Sequence, residues 1–70
     1  MHKVNNQKLL TPTEKIILKL LAKGFMYKEM AEMQGVNINT IKKHCKSIYQ
    51  KLNLRNRTEA ANYFNSMKAA

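Results

Sequence analysis

Lys42, Lys43 and Lys46 lie close together, and Lys51, Arg55 and Arg57 follow them with no acidic residue anywhere from Ile38 to Thr58. Cations at this density, free of local counter-charge, suit phosphate oxygens or the O6/N7 edge of guanine rather than bond-breaking chemistry. Asn39 and Gln50 add amides that can read adenine, and Asn39 is the better placed of the two, at the start of the element. The acids do not form a catalytic pair. All four are glutamates: Glu14, Glu29 and Glu59 fall in the first turns of expected helices and Glu32 just after, where negative charge complements a helix N-terminus. No phosphate-cradling glycine loop and no Ser-His-Asp set occurs. His44 and Cys45 are adjacent, so on a helix they diverge by about 100° and cannot chelate together. Cys45 falls on the apolar seam and is expected to act as a small hydrophobe, with a redox switch as the remote alternative. No enzyme, cofactor or metal site is expected.

Thirteen lysines and arginines against four acids leave a net charge of +9 on 70 residues. Such an excess attracts polyanions: nucleic acid, an anionic membrane or an acidic protein. A chain this short buries only about 60 % of its unfolded surface, so a single domain with few elements is expected. No apolar run approaches the ~20 residues that span a bilayer. Met1-His2-Lys3 opens a polar stretch that does not resemble a signal peptide. The single cysteine fits a reducing cytoplasm. We expect a flexible segment over residues 1–9, apart from Leu9 and Leu10 packing at the helix entry, and one domain over residues 10–68. Glycine is scarce, proline occurs once, and β-branched residues do not alternate with polar ones, so the fold class is all-α.

Four helices would position the lysines, at about residues 12–23, 27–34, 38–52 and 57–67. Thr11-Pro12-Thr13-Glu14 is a strong start signal, with Thr11 as N-cap, Pro12 at N1 and Glu14 as capping-box partner. Ile17, Leu20 and Leu21 form the buried stripe of the first helix, flanked by Ile16 and Leu18, while Lys15, Lys19 and Lys23 point away. The second helix carries Met30, Ala31 and Met33. Ala31 is small where two helices approach, Gly35 turns the chain and Ile41 packs back, which describes two helices joined by a short turn. In the third helix, capped by Asn37, Ile41, Cys45, Ile48 and Leu52 share one face. The opposite face holds Asn39, Lys43, Lys46, Ser47 and Gln50, with Thr40 and Lys42 on its shoulders. Leu54 plugs the core from a short loop. Asn56 caps the last helix with Glu59 at N3, and Ala60, Tyr63, Phe64 and Met67 make its inner face.

These blocks resemble the LuxR/GerE-type helix-turn-helix domain of bacterial transcription regulators. The segments that carry the likeness are "LTPTEKIILKLLAKG", "KEMAE", "NTIKKH" and "LNLRNRTEAA", in that order, between Leu10 and Phe64. The resemblance implies a four-helix domain with a helix-turn-helix motif from Tyr27 to Lys46, binding double-stranded DNA through the third helix and pairing through the fourth. It places Lys42, Lys43 and Lys46 toward the major groove, Lys28 and Thr40 on phosphates, and His44 at the edge of the recognition helix. Arg55 and Arg57 join the expected DNA-binding set.

Three departures from the family pattern stand out. Met26-Tyr27 replaces the usual capping residue before the second helix, at a cost of about 1 kcal/mol. Gln34 stands where a core leucine is usual. Ile38-Asn39 replaces an acidic or polar pair, and an exposed Ile38 facing DNA could touch a thymine methyl or a sugar.

The reading that follows is a sequence-specific bacterial transcription regulator that binds DNA as a homodimer, with Ala61, Asn62 and Asn65 as dimer contacts. It would be either a stand-alone regulator or the C-terminal domain of a response regulator, without a sensor or receiver domain of its own. The alternative is an interaction module that keeps the fold but binds an acidic protein. Lys15, Lys19 and Lys23 are expected to be solvated, with RNA polymerase or flanking DNA as the other reading of that stripe. Membrane binding is not expected, because the amphipathic helices need their apolar faces for the core.

Overall fold

The computed structural model describes residues 10–69 and contains four helices: α1 (Pro12–Ala22), α2 (Tyr27–Gln34), α3 (Ile38–Lys51) and α4 (Arg57–Ala69). The expectations for residues 1–9, including the packing of Leu9, lie outside the described residues. Among the described residues the fold is all-α, as the sequence predicts.

Helix α1 starts as its sequence requires. The Thr11 hydroxyl accepts from the Glu14 amide at 3.1 Å, and Glu14 Oε1 accepts from the Thr11 amide at 3.0 Å. The helix stops one residue earlier than expected, with Lys23 as its C-cap. Gly24 takes φ +90°. There its amide and that of Phe25 donate to the carbonyls of Leu21 and Leu20 at 3.1 and 3.2 Å, a closure that needs a left-handed residue. Ile17, Leu18, Leu20 and Leu21 are buried. The two expected flanks part company: Leu18 turns inward, whereas Ile16 is 46 % exposed. Both flanks lie about 100° from the centre of the stripe, so helical periodicity alone does not choose between them.

Helix α2 forms without a capping side chain at Met26. Glu29 supplies half of the missing arrangement, its Oε1 accepting from the Met26 amide at 2.8 Å. Met30 and Ala31 are buried, but Met33, expected among the apolar contacts, points outward at 53 % exposure. Gly35 ends the helix at φ +68°. An added Cβ there would meet nothing within 4 Å, so glycine is favoured by the torsion alone.

Asn37 caps α3, its Oδ1 accepting from the Thr40 amide at 3.0 Å and from the Thr40 hydroxyl at 3.2 Å. Ile41, Cys45, Ile48 and Leu52 are all buried, as their spacing predicts. Asn53 closes the helix at φ +56°, and the Leu54 amide donates to the Tyr49 carbonyl at 2.7 Å. Asparagine is among the few side chains that tolerate this region. Leu54 then packs against the core. At α4 the Asn56 side chain caps the Glu59 amide at 3.0 Å, while Glu59 reaches back past the cap to the Arg55 amide at 2.7 Å.

Helix α1 is the hub, packing on both α3 and α4, and α2 packs on α3. The core runs from Leu10 through Ile17, Leu21, Met30, Ile41 and Ile48 to Ala60, with Tyr63, Phe64 and Met67 of α4 against it.

Candidate nucleic-acid interface

Two facts make α3 a surface as well as a core element. Its apolar seam is buried along the whole length, and Asn39, Lys42, Lys43, Lys46 and Gln50 are exposed. Residues four apart are neighbours on a helix, so Asn39 leads to Lys43 in one row and Lys42 to Lys46 in the next. The one ion pair among the described residues joins Lys51 to Glu14, which leaves these three lysines uncompensated. Lys28, in the first turn of α2, and Arg55, in the loop before α4, are exposed too. Thr40 is half-buried and its hydroxyl is engaged with Asn37. His44 is half-buried.

The second half of α3 behaves differently. Ser47, expected on the polar reading face, is half-buried and donates to Glu14 Oε2 at 2.7 Å. Lys51 Nζ lies 2.7 Å from Glu14 Oε1. Glu14 is only 4 % exposed, so the residue that caps α1 also anchors α3. Burial alone would raise its pKa. Bonds from Lys51, Ser47 and the Thr11 amide, with the Lys51 charge, outweigh burial and hold the carboxyl near 2 instead of its ordinary 4.5. This anchor fixes the roll of α3 about its own axis and thereby the direction in which the lysines point.

Arg57, expected on DNA, is instead turned into the fold. Its guanidinium donates to the carbonyl of Leu21 at 3.3 Å and to that of Phe25. It also lies 6.0 Å from the centre of the Tyr27 ring, at the outer edge of cation–π range. The arginine thus ties the end of α1 to the loop before α2 through the carbonyls of Leu21 and Phe25.

Beneath this arginine, Tyr27, Cys45 and Tyr49 form a partly polar lining. Burial raises the Cys45 thiol, against a smaller opposing effect of its hydrogen bond with Tyr27 and the Arg57 charge. Burial and the bond to Tyr27 raise Tyr49. Both groups stay protonated at neutral pH. Cys45 is 2 % exposed, which fits its reading as a small hydrophobe, and no cluster of potential metal ligands occurs among the described residues. The Tyr27 ring, at the first position of α2, packs inward against the core.

A short scaffold helix, a left-handed glycine turn and an exposed basic helix define a helix-turn-helix domain. The chain belongs to the luxR family of bacterial regulatory proteins, whose sequence profile matches residues 8–64. It is 45 % identical over 60 residues to the transcriptional regulatory protein YdfI of Bacillus subtilis, covering 86 % of this chain and 28 % of that protein. It is 40 % identical over 55 residues to the response regulator protein VraR of Staphylococcus aureus, and equally to that of Staphylococcus epidermidis, covering 79 % of this chain and 26 % of each relative. The chain thus spans about a quarter of the length of these curated relatives. Among the described residues no helix is long and apolar enough to cross a membrane.

Proposed function

We propose that this chain recognises a defined duplex sequence by laying α3 in the major groove, within a bacterial cytoplasmic regulator of transcription. The observation that carries the reading is the exposed row of Asn39, Lys42, Lys43 and Lys46, uncompensated by any nearby carboxylate, on a helix whose roll is fixed by Glu14. Lys28 and Arg55 flank it as phosphate contacts, with Thr40 and His44 at its edge. Phosphate contacts position the domain, and contacts to base edges specify the site. Arg57 is left out of this set, because its donors are used within the fold.

Residues 10–68 act as the DNA-binding unit, and two copies pair through α4 on half-sites related by a two-fold axis. Asn62 and Asn65 are exposed there and Ala61 is half-buried, which supports them as contact residues. Similarity to proteins named as response and transcriptional regulators supports a role in regulated transcription. RNA polymerase is a candidate partner for the exposed Lys15, Lys19 and Lys23. The absent side-chain cap at Met26 and the half-buried Gln34 lend some weight to the rival reading, an interaction module for an acidic protein, although α2 forms and buries Met30 and Ala31.

Selection from a random duplex pool tests the proposal. The wild-type chain should enrich a short motif, and Lys43→Ala/Lys46→Ala should lose that preference as well as affinity. Enrichment of no motif, or an unchanged motif in the double variant, would refute the assignment.

A further inference from the structure

Five large apolar side chains are notably exposed among the described residues: Ile16, Met26, Met33, Val36 and Ile38. Only Ile38 belongs to α3, where it is the first helical residue and remains 39 % exposed. Lys42 follows one turn later, so the isoleucine continues the row that Lys42 and Lys46 form. Its neighbours divide the polar work. Asn37 and Thr40 are occupied with each other in the cap, whereas Asn39 is exposed and takes no part in it. The segment is anchored on its N-terminal side: the Val36 amide donates to the Ala31 carbonyl at 3.0 Å, and Gly35 shapes the turn. Ile38 and Asn39 are therefore presented from a rigid element, as a reading pair requires.

An apolar side chain beside three uncompensated lysines favours a polyanion that also offers an apolar spot. The major groove provides one, the C5 methyl of thymine, among edges that otherwise present only donors and acceptors. An amide such as that of Asn39 complements the N6/N7 edge of adenine.

Resting on α3 as the DNA-reading helix, we infer that its first turn is specific for A·T pairs, Ile38 packing on a thymine methyl and Asn39 bonding to adenine. The lysines one turn further on then serve guanines or phosphates, so the half-site carries its A·T pairs where the N-terminus of α3 enters.

Single-atom changes in the DNA test this. In the duplex selected by the wild-type chain, each thymine is replaced in turn by deoxyuridine, which removes only the methyl, and each adenine by 7-deazaadenine, which removes only N7. Affinities are measured by fluorescence anisotropy for wild type, Ile38→Ala and Asn39→Ala, with thermal melting to verify that each variant is folded. One thymine should exist at which loss of the methyl weakens wild type about threefold to fivefold and leaves Ile38→Ala unaffected. One adenine should exist at which loss of N7 weakens wild type about tenfold and leaves Asn39→Ala unaffected. If every thymine tolerates deoxyuridine while Lys43→Ala/Lys46→Ala still weakens binding and loses the motif, the A·T inference is wrong and the recognition helix stands. If the wild-type chain prefers no duplex at all, both fall.

Discussion

Along α3, Asn39, Lys42, Lys43 and Lys46 stay in solvent through the N-terminal part of the helix, while Ser47 and Lys51 further on turn onto the buried carboxylate of Glu14. The same residue types thus meet opposite fates on one helix. A lysine with no nearby acid stays hydrated and available to a polyanion. A lysine beside a desolvated carboxylate becomes part of the scaffold, because leaving that charge unpaired would cost several kcal/mol. Binding and stability should therefore separate along the helix, the first half governing affinity for DNA and the second governing the fold.

The largest effect is expected at the anchor. Glu14→Ala removes a cap and leaves Lys51 and Ser47 without their acceptor, and it should lower unfolding free energy by about 3 kcal/mol, read from urea denaturation. The pH dependence sharpens this. The folded carboxyl titrates near 2, below its ordinary value of 4.5, so its contribution is complete above about pH 4.5 and is lost as pH falls toward 2. Its size is roughly 3 kcal/mol from a shift of this magnitude. Glu14→Gln should therefore be less stable than wild type at pH 6, and the gap should close by pH 2. A gap that persists at pH 2 would mean that shape, not charge, makes the anchor.

Next in size is the opposite half. Lys43→Ala/Lys46→Ala should weaken DNA binding about tenfold to a hundredfold near physiological salt and leave the melting temperature within about 2 °C of wild type. A large loss of stability in this variant would erase the division between the two halves.

Arg57 offers a third probe, a cation at the start of α4 that belongs with the scaffold. Arg57→Ala should cost about 1–2 kcal/mol of stability through its two carbonyl partners. It should not change the salt dependence of DNA binding. Smallest of all, Met26→Ser would supply the cap that α2 lacks and should stabilise by roughly 0.5–1 kcal/mol, seen as a rise of a few degrees in melting temperature.

The local features could be read directly from the residues. The capping box of α1, the caps at Asn37 and Asn56 and the seam of Ile41, Cys45, Ile48 and Leu52 depend on neighbours within one or two turns, and the structure contains all of them. What escaped was long-range. Glu14 already had a sufficient local role as a capping residue, and nothing near it in the chain points to partners 33 and 37 residues away. Ser47 lies at the boundary between the polar face and the flank that meets α1, where periodicity alone does not decide. Arg57 opens α4 and is drawn inward by the carbonyls of Leu21 and Phe25, more than thirty residues earlier in the chain. Met33 and Ile16 are apolar by type yet exposed, because which flank of an apolar stripe meets a neighbour is set by tertiary packing that periodicity does not show.

The most direct measurement is the salt dependence of duplex affinity for wild type and Lys43→Ala/Lys46→Ala, taken on the selected motif. With up to five cations on phosphates (Lys28, Lys42, Lys43, Lys46 and Arg55), the log–log slope should be about −4 to −5 per protomer for wild type. It should become shallower by up to about 2 in the double variant if both lysines meet phosphates, and by less if one of them reads a base. A wild-type slope near zero, or identical slopes and affinities in the two proteins, would contradict a DNA-reading face on the first half of α3.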